Sequence, residues 1–402
     1  MWGLLACLLW GVSFITFPQS ANGFWFPKQV AWMLGSFLLA SSPWWNTPSR
    51  PSVRLPALGY IFIWVLLSFG WFVLWPQLTI PAVEVGAQRV VGQRWYVSPI
   101  LPTFTILGSL LALDALVRHT DNLIRWQRIA LHLVRIGSLL SLIVIGQALH
   151  LNPLATWIAI APNSPWKDGN FAVLGNTTVM GNFLALLVPL CLMFAAKRYR
   201  WGAWSLLIGA IACTASVMSL GVAWLSSLVV WSLQRRWKTV GTIVGISIIL
   251  LLGLWWRLPN QFWITYLNPH GRWAIWQTAL AFWATHPLNA WIGFGAGSVG
   301  AATANGVWDY GFLHNDYLQW LFEFGLIGVG LTLWMMGQTC QALRSFTWTG
   351  ASTAWLGSAL ACALLMITGF PLQIGSSLMV GVVSVAAVLS HCQPTGGRYA
   401  ES

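Results

Sequence analysis

Long apolar runs follow one another along almost the whole chain, separated by short polar stretches. Of its 402 residues, 57% are hydrophobic and only 7% are charged, whereas a soluble globular protein carries about 25% charged residues. Disordered chains combine low hydrophobicity with high charge, so disorder is excluded as well. Transmembrane β-strands alternate polar and apolar residues, but these runs are continuous. The composition therefore predicts an all-α, polytopic transmembrane helical protein.

About twelve runs approach the roughly 17–25 predominantly apolar residues that a membrane-spanning helix needs. Ser216, Ser219 and Gly221 indicate a turn between the seventh and eighth runs. The first run has no preceding cation and no clear cleavage site, so we expect a retained span rather than a signal peptide. The predicted spans are residues 3–17, 30–44, 55–75, 99–117, 129–149, 172–196, 201–215, 218–233, 239–256, 317–337, 353–370 and 375–389.

The cations agree with this topology, because Lys and Arg favour the cytoplasmic side of a membrane. With both termini cytoplasmic, six of the 20 Lys and Arg fall on outer segments and the other fourteen on inner loops and flanks. Topology thus explains most of the net charge of +12, and we expect no nucleic-acid partner. The outer cations are Lys28, Arg89, Arg94, Lys167, Arg257 and Arg272.

We interpret residues 1–402 as a single membrane domain without an obvious internal repeat. Its one long extracytoplasmic loop, residues 257–316, is predicted to contain short interfacial helices and the candidate active site. A shorter outer loop covers residues 150–170.

The first part of the long loop, NPHGRWAIWQTALAFWATHP, predicts a helix. Asn268 suits an N-cap and Pro269 the first helical position. Arg272 then lies in the first turn, where it either helps the helix N-terminus to bind an anion or extends toward lipid headgroups. An apolar face predicts an interfacial position; its members are Trp273, Trp276, Leu280 and Trp283.

The later parts of the loop combine glycines with ionisable groups. The run from Gly293 to Gly300 lacks the GK[ST] of a P-loop, which favours a tight connection with close backbone approach over a phosphate cradle. Asp316 has capping-box spacing to the following Gln, so we predict it as the N-cap of the tenth span. His314 then lies at the outer membrane surface. Glu323 lies on the same helix face as Asp316, and an ionisable group within a span is a functional candidate.

The remaining sequence contains no paired carboxylates, HExxH, GxSxG or clustered metal ligands, and its six cysteines form no CxxC. We expect no metal and no other cofactor. Arg, His and one Glu suit a reaction with a diphosphate leaving group, because Arg can neutralise that charge and His can accept a proton near neutral pH.

These motifs resemble the signature of the O-antigen ligase and O-antigen polymerase superfamily, a group of bacterial membrane enzymes that ligate or polymerise glycans. The resemblance covers residues 170–390 in detail and the first 170 residues only in hydropathy. LGNTTVMGNFLALLVPL, with Asn176, is similar to the family's GN-x-N segment, and GFPLQIGSSL to its last helices. The matching positions of the long loop and tenth span are Arg272, Trp276, Pro287, Gly293, Gly295, Gly297, His314, Asn315, Leu318, Gln319, Glu323, Gly325 and Gly328.

The resemblance implies a metal-independent glycosyltransferase of the bacterial inner (cytoplasmic) membrane. Its donor would be a glycan on undecaprenyl diphosphate, and its acceptor a hydroxyl on the periplasmic side. Lipid A-core would be the acceptor of a ligase and a second lipid-linked glycan that of a polymerase, while some relatives glycosylate proteins. We lean toward a ligase because only one outer loop is long. The lipid tail would lie against apolar spans and membrane lipids.

The resemblance also implies roles for individual residues. His314 would be the base for the acceptor hydroxyl, Arg272 would neutralise the departing diphosphate, and Glu323 would orient the site. Where relatives often have an SRG-type turn, this chain has Leu220, so a cationic contact is either missing or supplied by another Arg. The implied substrate-binding residues are Arg257, Arg94, Arg89, Asn315, Gln319 and Asn176.

Two other classes of function stay open. A transporter or flippase for lipid-linked sugars would place ionisable groups or broken helices near the bilayer midplane, whereas the polar residues here collect at the outer surface. A non-catalytic membrane scaffold would not need His and Arg at fixed positions of one outer loop.

Overall fold

The computed structural model describes residues 2–15, 26–41, 56–74, 97–119, 123–151, 172–174, 176–194, 197–257, 272–284, 287–299 and 313–392. Nearly all of these residues are helical and no β-strand occurs among them, which confirms the all-α prediction. The α-helices of this described part are α1 (Trp2–Phe14), α2 (Phe26–Ser41), α3 (Pro56–Leu74), α4 (Val97–His119), α5 (Leu123–Ala148), α6 (Thr177–Leu187), α7 (Lys197–Cys213), α8 (Val217–Leu233), α9 (Trp237–Arg257), α10 (Arg272–Ala284), α11 (Pro287–Ile292), α12 (Asp316–Ala342), α13 (Gly350–Thr368) and α14 (Gly375–Ser390).

Four of the described helices are long and apolar enough to cross a membrane. They are Ile100–Arg118, Ile124–Ala148, Asp316–Ser345 and Gly350–Thr368. Each of the other predicted spans overlaps a helix of the described part of the chain. The number of about twelve spans stays a prediction.

Helices α6 and α14 form the centre of the core, and nearly all of their residues are buried. Both are apolar around most of their circumference, which is typical of helices enclosed by others. A 3₁₀ segment, Val188–Met193, continues α6. Helix α14 packs against α2, α4 and α13, while α13 and the 3₁₀ segment pack against each other.

The predicted turn between the seventh and eighth runs is confirmed. Helix α7 ends at Cys213 and α8 begins at Val217, and Ala215 between them has a φ of 56°. The turn lies beside α6, because Ser219 Oγ donates a 2.7 Å hydrogen bond to Asn182 Oδ1. Leu220, at the position of the family's arginine, packs on the apolar core.

Helix α12 is broken at Gly325, where φ is 64° and ψ is −170°. A break deprives backbone carbonyls of their helical partners, and buried carbonyls need replacements. Here the replacements come from α3 and from the glycine-rich turn, residues 293–299. The donors are Phe294 N to Phe322 O at 2.9 Å, Gly295 N to Glu323 O at 3.0 Å, Ser68 Oγ to Glu323 O at 3.3 Å and Trp64 Nε1 to Phe324 O at 3.0 Å.

The glycine-rich turn meets the break in α12 with backbone against backbone. A Cβ atom on Gly293 would lie 2.2 Å from the carbonyl oxygen of Glu323, and one on Gly325 would lie 2.4 Å from Gly293 N. Both glycines also have positive φ, which only glycine adopts without strain. The prediction of a tight connection with close backbone approach is therefore confirmed.

Candidate active site

Helix α10 brings Arg272 to the site. Its predicted beginning at Asn268 and Pro269 lies outside the described residues, and within them the helix runs from Arg272 to Ala284. The short α11 then begins at Pro287. The inner face of α10, including Ile275 and Ala279, packs in a small apolar cluster together with side chains of the glycine-rich turn and α12.

The Arg272 guanidinium is half-buried and hydrogen-bonded to the end of α13. Its Nη1 donates to the carbonyl oxygen of Thr368 at 2.5 Å. Among the described residues no carboxylate lies within 4.0 Å of this guanidinium. The ion pair in the described part of the chain is elsewhere and joins Arg118 to Asp114. Burial lowers the pKa of Arg272, but an arginine stays protonated in proteins. A positive charge without a counter-ion among the described residues therefore lies at this position.

His314 immediately precedes α12 and has a strained backbone, with a φ of 53°. Its neighbour Leu313 is fully buried, and the Leu313 carbonyl accepts a 2.8 Å hydrogen bond from Trp276 Nε1 of α10. The imidazole makes an edge-on contact with Phe370, at 5.0 Å between ring centroids. His314 Nδ1 is buried and has no hydrogen-bond partner among the described residues.

Arg272 and His314 belong to the same site. Arg272 binds Thr368, the last residue of α13, and His314 contacts Phe370 two residues later in the turn that follows. Burial, and secondly the positive charge of Arg272, lower the pKa of His314 to about 4. The imidazole is therefore neutral at physiological pH and has a free nitrogen beside a fixed cation.

The prediction of Asp316 as N-cap is wrong. The N-cap of α12 is Asn315, whose Oδ1 accepts a 2.9 Å hydrogen bond from Leu318 N. Asp316 is instead buried, and its Oδ2 accepts a 2.8 Å hydrogen bond from Leu372 N and its carboxylate a further one from the Gln373 side chain. Asn and Asp cap equally well, and this tertiary contact decides between them. Asp316 thereby joins α12 to the turn after α13.

Glu323 and Gln319 hold each other inside the protein. Gln319 Nε2 donates a 3.0 Å hydrogen bond to Glu323 Oε1, and the same carboxylate accepts hydrogen bonds from the backbone of Gly297 and Val299. Glu323 therefore fixes the glycine-rich turn against α12. Both side chains are at least 96% buried, with exposures of 4% for Gln319 and 3% for Glu323.

Of the remaining predicted substrate-binding residues, the structure describes the side chain of Asn176 but not those of the three arginines. Asn176 caps α6, and its Oδ1 accepts hydrogen bonds from Thr178 N and Val179 N. Arg257 is the last residue of α9, with its side chain outside the described part. Arg89 and Arg94 lie outside it altogether. Their binding of substrate stays a prediction.

Sequence reasoning assigned no role to the turn after α13, although it forms one wall of the site. Its GFPLQIGSSL motif was matched only to the family's last helices. Besides Phe370, it contributes Gln373, whose carbonyl accepts a 2.7 Å hydrogen bond from Gln29 Nε2 of α2. Gly369 leaves room for Asn182, because a Cβ atom on Gly369 would lie 3.1 Å from Asn182 Nδ2.

An apolar groove of about 370 Å³ lies between α10 and α12, beside the His314 loop. Trp276 and Asn315 connect it to the site, since one binds Leu313 and the other follows His314. Three of its residues, Trp273, Leu280 and Tyr317, are at least 40% exposed, so the groove opens outward. Its lining is Trp273, Trp276, Gln277, Leu280, Asn315, Tyr317, Leu318 and Leu321.

The site thus offers a neutral imidazole, a guanidinium that has no carboxylate partner among the described residues, and an adjoining apolar groove. Such a set can accept a proton, hold an anion and bind an apolar chain. Within the described residues, no three His, Cys, Asp or Glu side chains are grouped so that they could hold a metal ion.

In comparisons with known proteins, no family model matches the chain. No curated protein matches it significantly either. The resemblance to the O-antigen ligase and polymerase superfamily is therefore supported by the quoted motifs alone.

Proposed function

We propose that this protein is a multi-pass glycosyltransferase of the bacterial inner membrane, which transfers a glycan from undecaprenyl diphosphate to an acceptor hydroxyl. The observation that supports the proposal most strongly is the pairing of Arg272 with His314. They are far apart in the sequence, yet Arg272 contacts the last residue of α13 and His314 the turn that follows it, and the charge of Arg272 lowers the pKa of His314.

In the proposed reaction, the His314 imidazole accepts the proton of the acceptor hydroxyl. The acceptor oxygen forms a bond to the anomeric carbon of the donor glycan, and the bond from that carbon to the diphosphate oxygen breaks. The diphosphate leaves with that electron pair and so gains negative charge. The Arg272 guanidinium, which has no carboxylate partner in the described part of the chain, stabilises this charge where it develops.

The pKa of His314 fits this reaction only if the bound donor changes its surroundings. A pKa of about 4 describes a weak base, and general bases work best near the operating pH. A diphosphate beside Arg272 offsets the positive charge that helps to lower this pKa. Donor binding would therefore make His314 a stronger base when the acceptor is to be deprotonated.

The apolar groove between α10 and α12 suits the first isoprene units of the carrier lipid. It adjoins the His314 loop, and its exposed Trp and Tyr residues are typical of the membrane–water interface. The diphosphate would then lie at the interface and the rest of the lipid tail in the bilayer.

A transfer assay tests the proposed function. Purified protein receives undecaprenyl-diphosphate glycan, with lipid A-core or with further donor only, in the presence of EDTA. We expect transfer that is lost in His314→Ala and in Arg272→Ala but retained in Arg344→Ala, which removes an exposed arginine beyond the far end of α12. Full activity of both site variants would contradict the assignment.

The acceptor separates the two forms of the proposal. Product on lipid A-core identifies a ligase, which we favour, and a ladder on the carrier lipid identifies a polymerase. Loss of transfer in EDTA, restored by a divalent cation, would contradict the metal-independent form.

Transport of lipid-linked sugars is the second candidate, because α12 is broken and has buried carboxylates, as many transporter helices do. However, the carbonyls of Phe322, Glu323 and Phe324 at the break already accept hydrogen bonds from neighbours. The Glu323 carboxylate is likewise engaged by three donors. The polar groups at the break are therefore engaged within the protein and are not free to bind a transported substrate. We place transport second for this reason. Movement of donor across liposomes without any transfer product would reverse that order.

A further inference from the structure

A basic groove of about 480 Å³ lies at the other end of α13 from the candidate active site. Helix α13 begins after its N-cap Thr349, which lines this groove, and ends at Thr368, which binds Arg272. Its 19 residues span about 28 Å, close to the roughly 30 Å hydrocarbon thickness of a bilayer. In the proposed membrane topology, the groove then lies at the membrane face opposite the candidate active site. Its lining is Leu233, Gln234, Arg235, Arg236, Trp348, Thr349, Gly350 and Thr353.

Side-chain hydrogen bonds build the groove by joining the end of α8 to the beginning of α13. Gln234 Nε2 donates to Thr353 Oγ1 at 3.1 Å and to the Gly350 carbonyl at 3.4 Å. Thr349 and Ser352 form a reciprocal capping box. The two walls are consequently held at a fixed separation, and the groove exists before any ligand binds.

The groove carries positive charge that no carboxylate of the described residues offsets within 4.0 Å. Arg235 and Arg236 both line it, and in the described part of the chain neither has an acidic group within 4.0 Å. The N-terminus of α13 adds a partial positive charge on the same side. Trp348 is 57% exposed and, with Leu233, supplies an apolar wall. Exposed Trp beside arginines is typical of residues at headgroup level.

We propose that this groove binds the phosphate of an anionic phospholipid headgroup, at the membrane face opposite the candidate active site. The two arginines suit the phosphate oxygens, and Trp348 and Leu233 suit the glycerol and first methylene groups. A soluble phosphate compound would use the arginines but not the apolar wall. Basic pockets between helices at the cytoplasmic face are the usual sites of such lipids.

Native mass spectrometry of the purified full-length protein tests this inference without any glycan substrate. The probes are dioleoylphosphatidylglycerol, dioleoylphosphatidylcholine and inorganic phosphate. We expect the wild-type protein to bind the anionic lipid at least about tenfold more tightly than the zwitterionic one. The double variant Arg235→Gln/Arg236→Gln should lose this preference.

The matched control is Lys238→Gln/Arg344→Gln, which removes the same charge from nearby exposed positions that do not line the groove. It should keep the lipid preference within about twofold. An equal loss in both double variants would show that net charge, not the groove, attracts the lipid. Inorganic phosphate binding as tightly as the anionic lipid would overturn the lipid assignment.

Size-exclusion chromatography checks the fold of each variant. If the groove double variant is not monodisperse, the single variants Arg235→Gln and Arg236→Gln replace it. In each single variant the affinity ratio of anionic to zwitterionic lipid should fall about threefold. Unchanged preference in both single variants would overturn the proposal.

Discussion

The guanidinium of Arg272, in the first turn of α10, donates a hydrogen bond to the carbonyl of Thr368, the last residue of α13. This bond joins α10 to a helix long and apolar enough to cross a membrane. It uses one of the five guanidinium N–H donors and leaves others for a ligand. Arg272 therefore has both a fixed position and capacity to bind an anion.

The shape of the Arg272 side chain should matter as well as its charge. Arg272→Lys keeps the charge but cannot both bind the Thr368 carbonyl and present a planar pair of donors to a diphosphate. We expect transfer activity to fall by about 100-fold, measured as kcat/KM with undecaprenyl-diphosphate glycan. Arg344→Lys is the control and should keep wild-type activity; equal activity of the two variants would show that charge alone suffices.

The protonation of His314 should depend on Arg272. Burial and then the Arg272 charge lower the pKa of His314 to about 4, so removing the cation in Arg272→Gln should raise this pKa, while burial keeps it below 6.5. Modification of the His314 peptide by diethylpyrocarbonate reports the neutral imidazole. As the pH is lowered, the modification rate should decrease in both proteins. The decrease should begin at a higher pH in the variant than in the wild type. Identical profiles would mean that the two groups are not coupled.

Asp316 should act as a positioning residue. It holds Leu372 and Gln373 of the turn that also contains Phe370, the partner of His314. Asp316→Ala leaves the Leu372 N–H without its acceptor, at a cost of about 1–3 kcal/mol. We expect lower thermal stability and lower kcat with KM nearly unchanged.

The conservative variant separates positioning from proton transfer by Asp316. Asp316→Asn retains one acceptor oxygen, so it should recover most of the activity that Asp316→Ala loses. An Asn variant as inactive as the Ala variant would instead indicate that the carboxylate itself takes part in the reaction.

The contact between the glycine-rich turn and α12 should tolerate no side chain. Gly293→Ala would place a methyl group 2.2 Å from the Glu323 carbonyl oxygen at a residue with positive φ, which should destabilise the protein by more than about 2 kcal/mol. Gly330→Ala is the control in α12, because a Cβ atom there meets nothing within 4 Å. Thermal unfolding in detergent should show a large loss for the first variant and none for the second.

The sequence predicted those features that depend on local chemistry. The turn between α7 and α8 follows from Ser and Gly residues, and the close approach of Gly293 from the absence of a side chain. Arg272 and His314 were proposed from motifs in one loop. The N-cap of α12 could not be predicted in this way, because Asn315 and Asp316 both suit a cap. Only the distant Leu372 amide determines which of them serves.

The role of the end of α13 and the turn after it in the site was not predicted, for a related reason. Thr368 and Phe370 carry no reactive group, and their importance comes from contacts with residues that lie far away in the sequence. No local pattern of apolar residues encodes such contacts.

The break at Gly325 has a consequence for how the protein can adapt to membranes of different thickness. As one straight helix, the 27 residues of α12 would extend about 40 Å. A thicker or thinner bilayer that changed the tilt of such a helix would also displace His314, which precedes it. Because α12 is broken at Gly325, its first two turns are held by hydrogen bonds to the glycine-rich turn and α3. Only the part of α12 after Gly325 must then match the thickness of the bilayer. The candidate site would then keep the same geometry in membranes of different lipid composition and thickness.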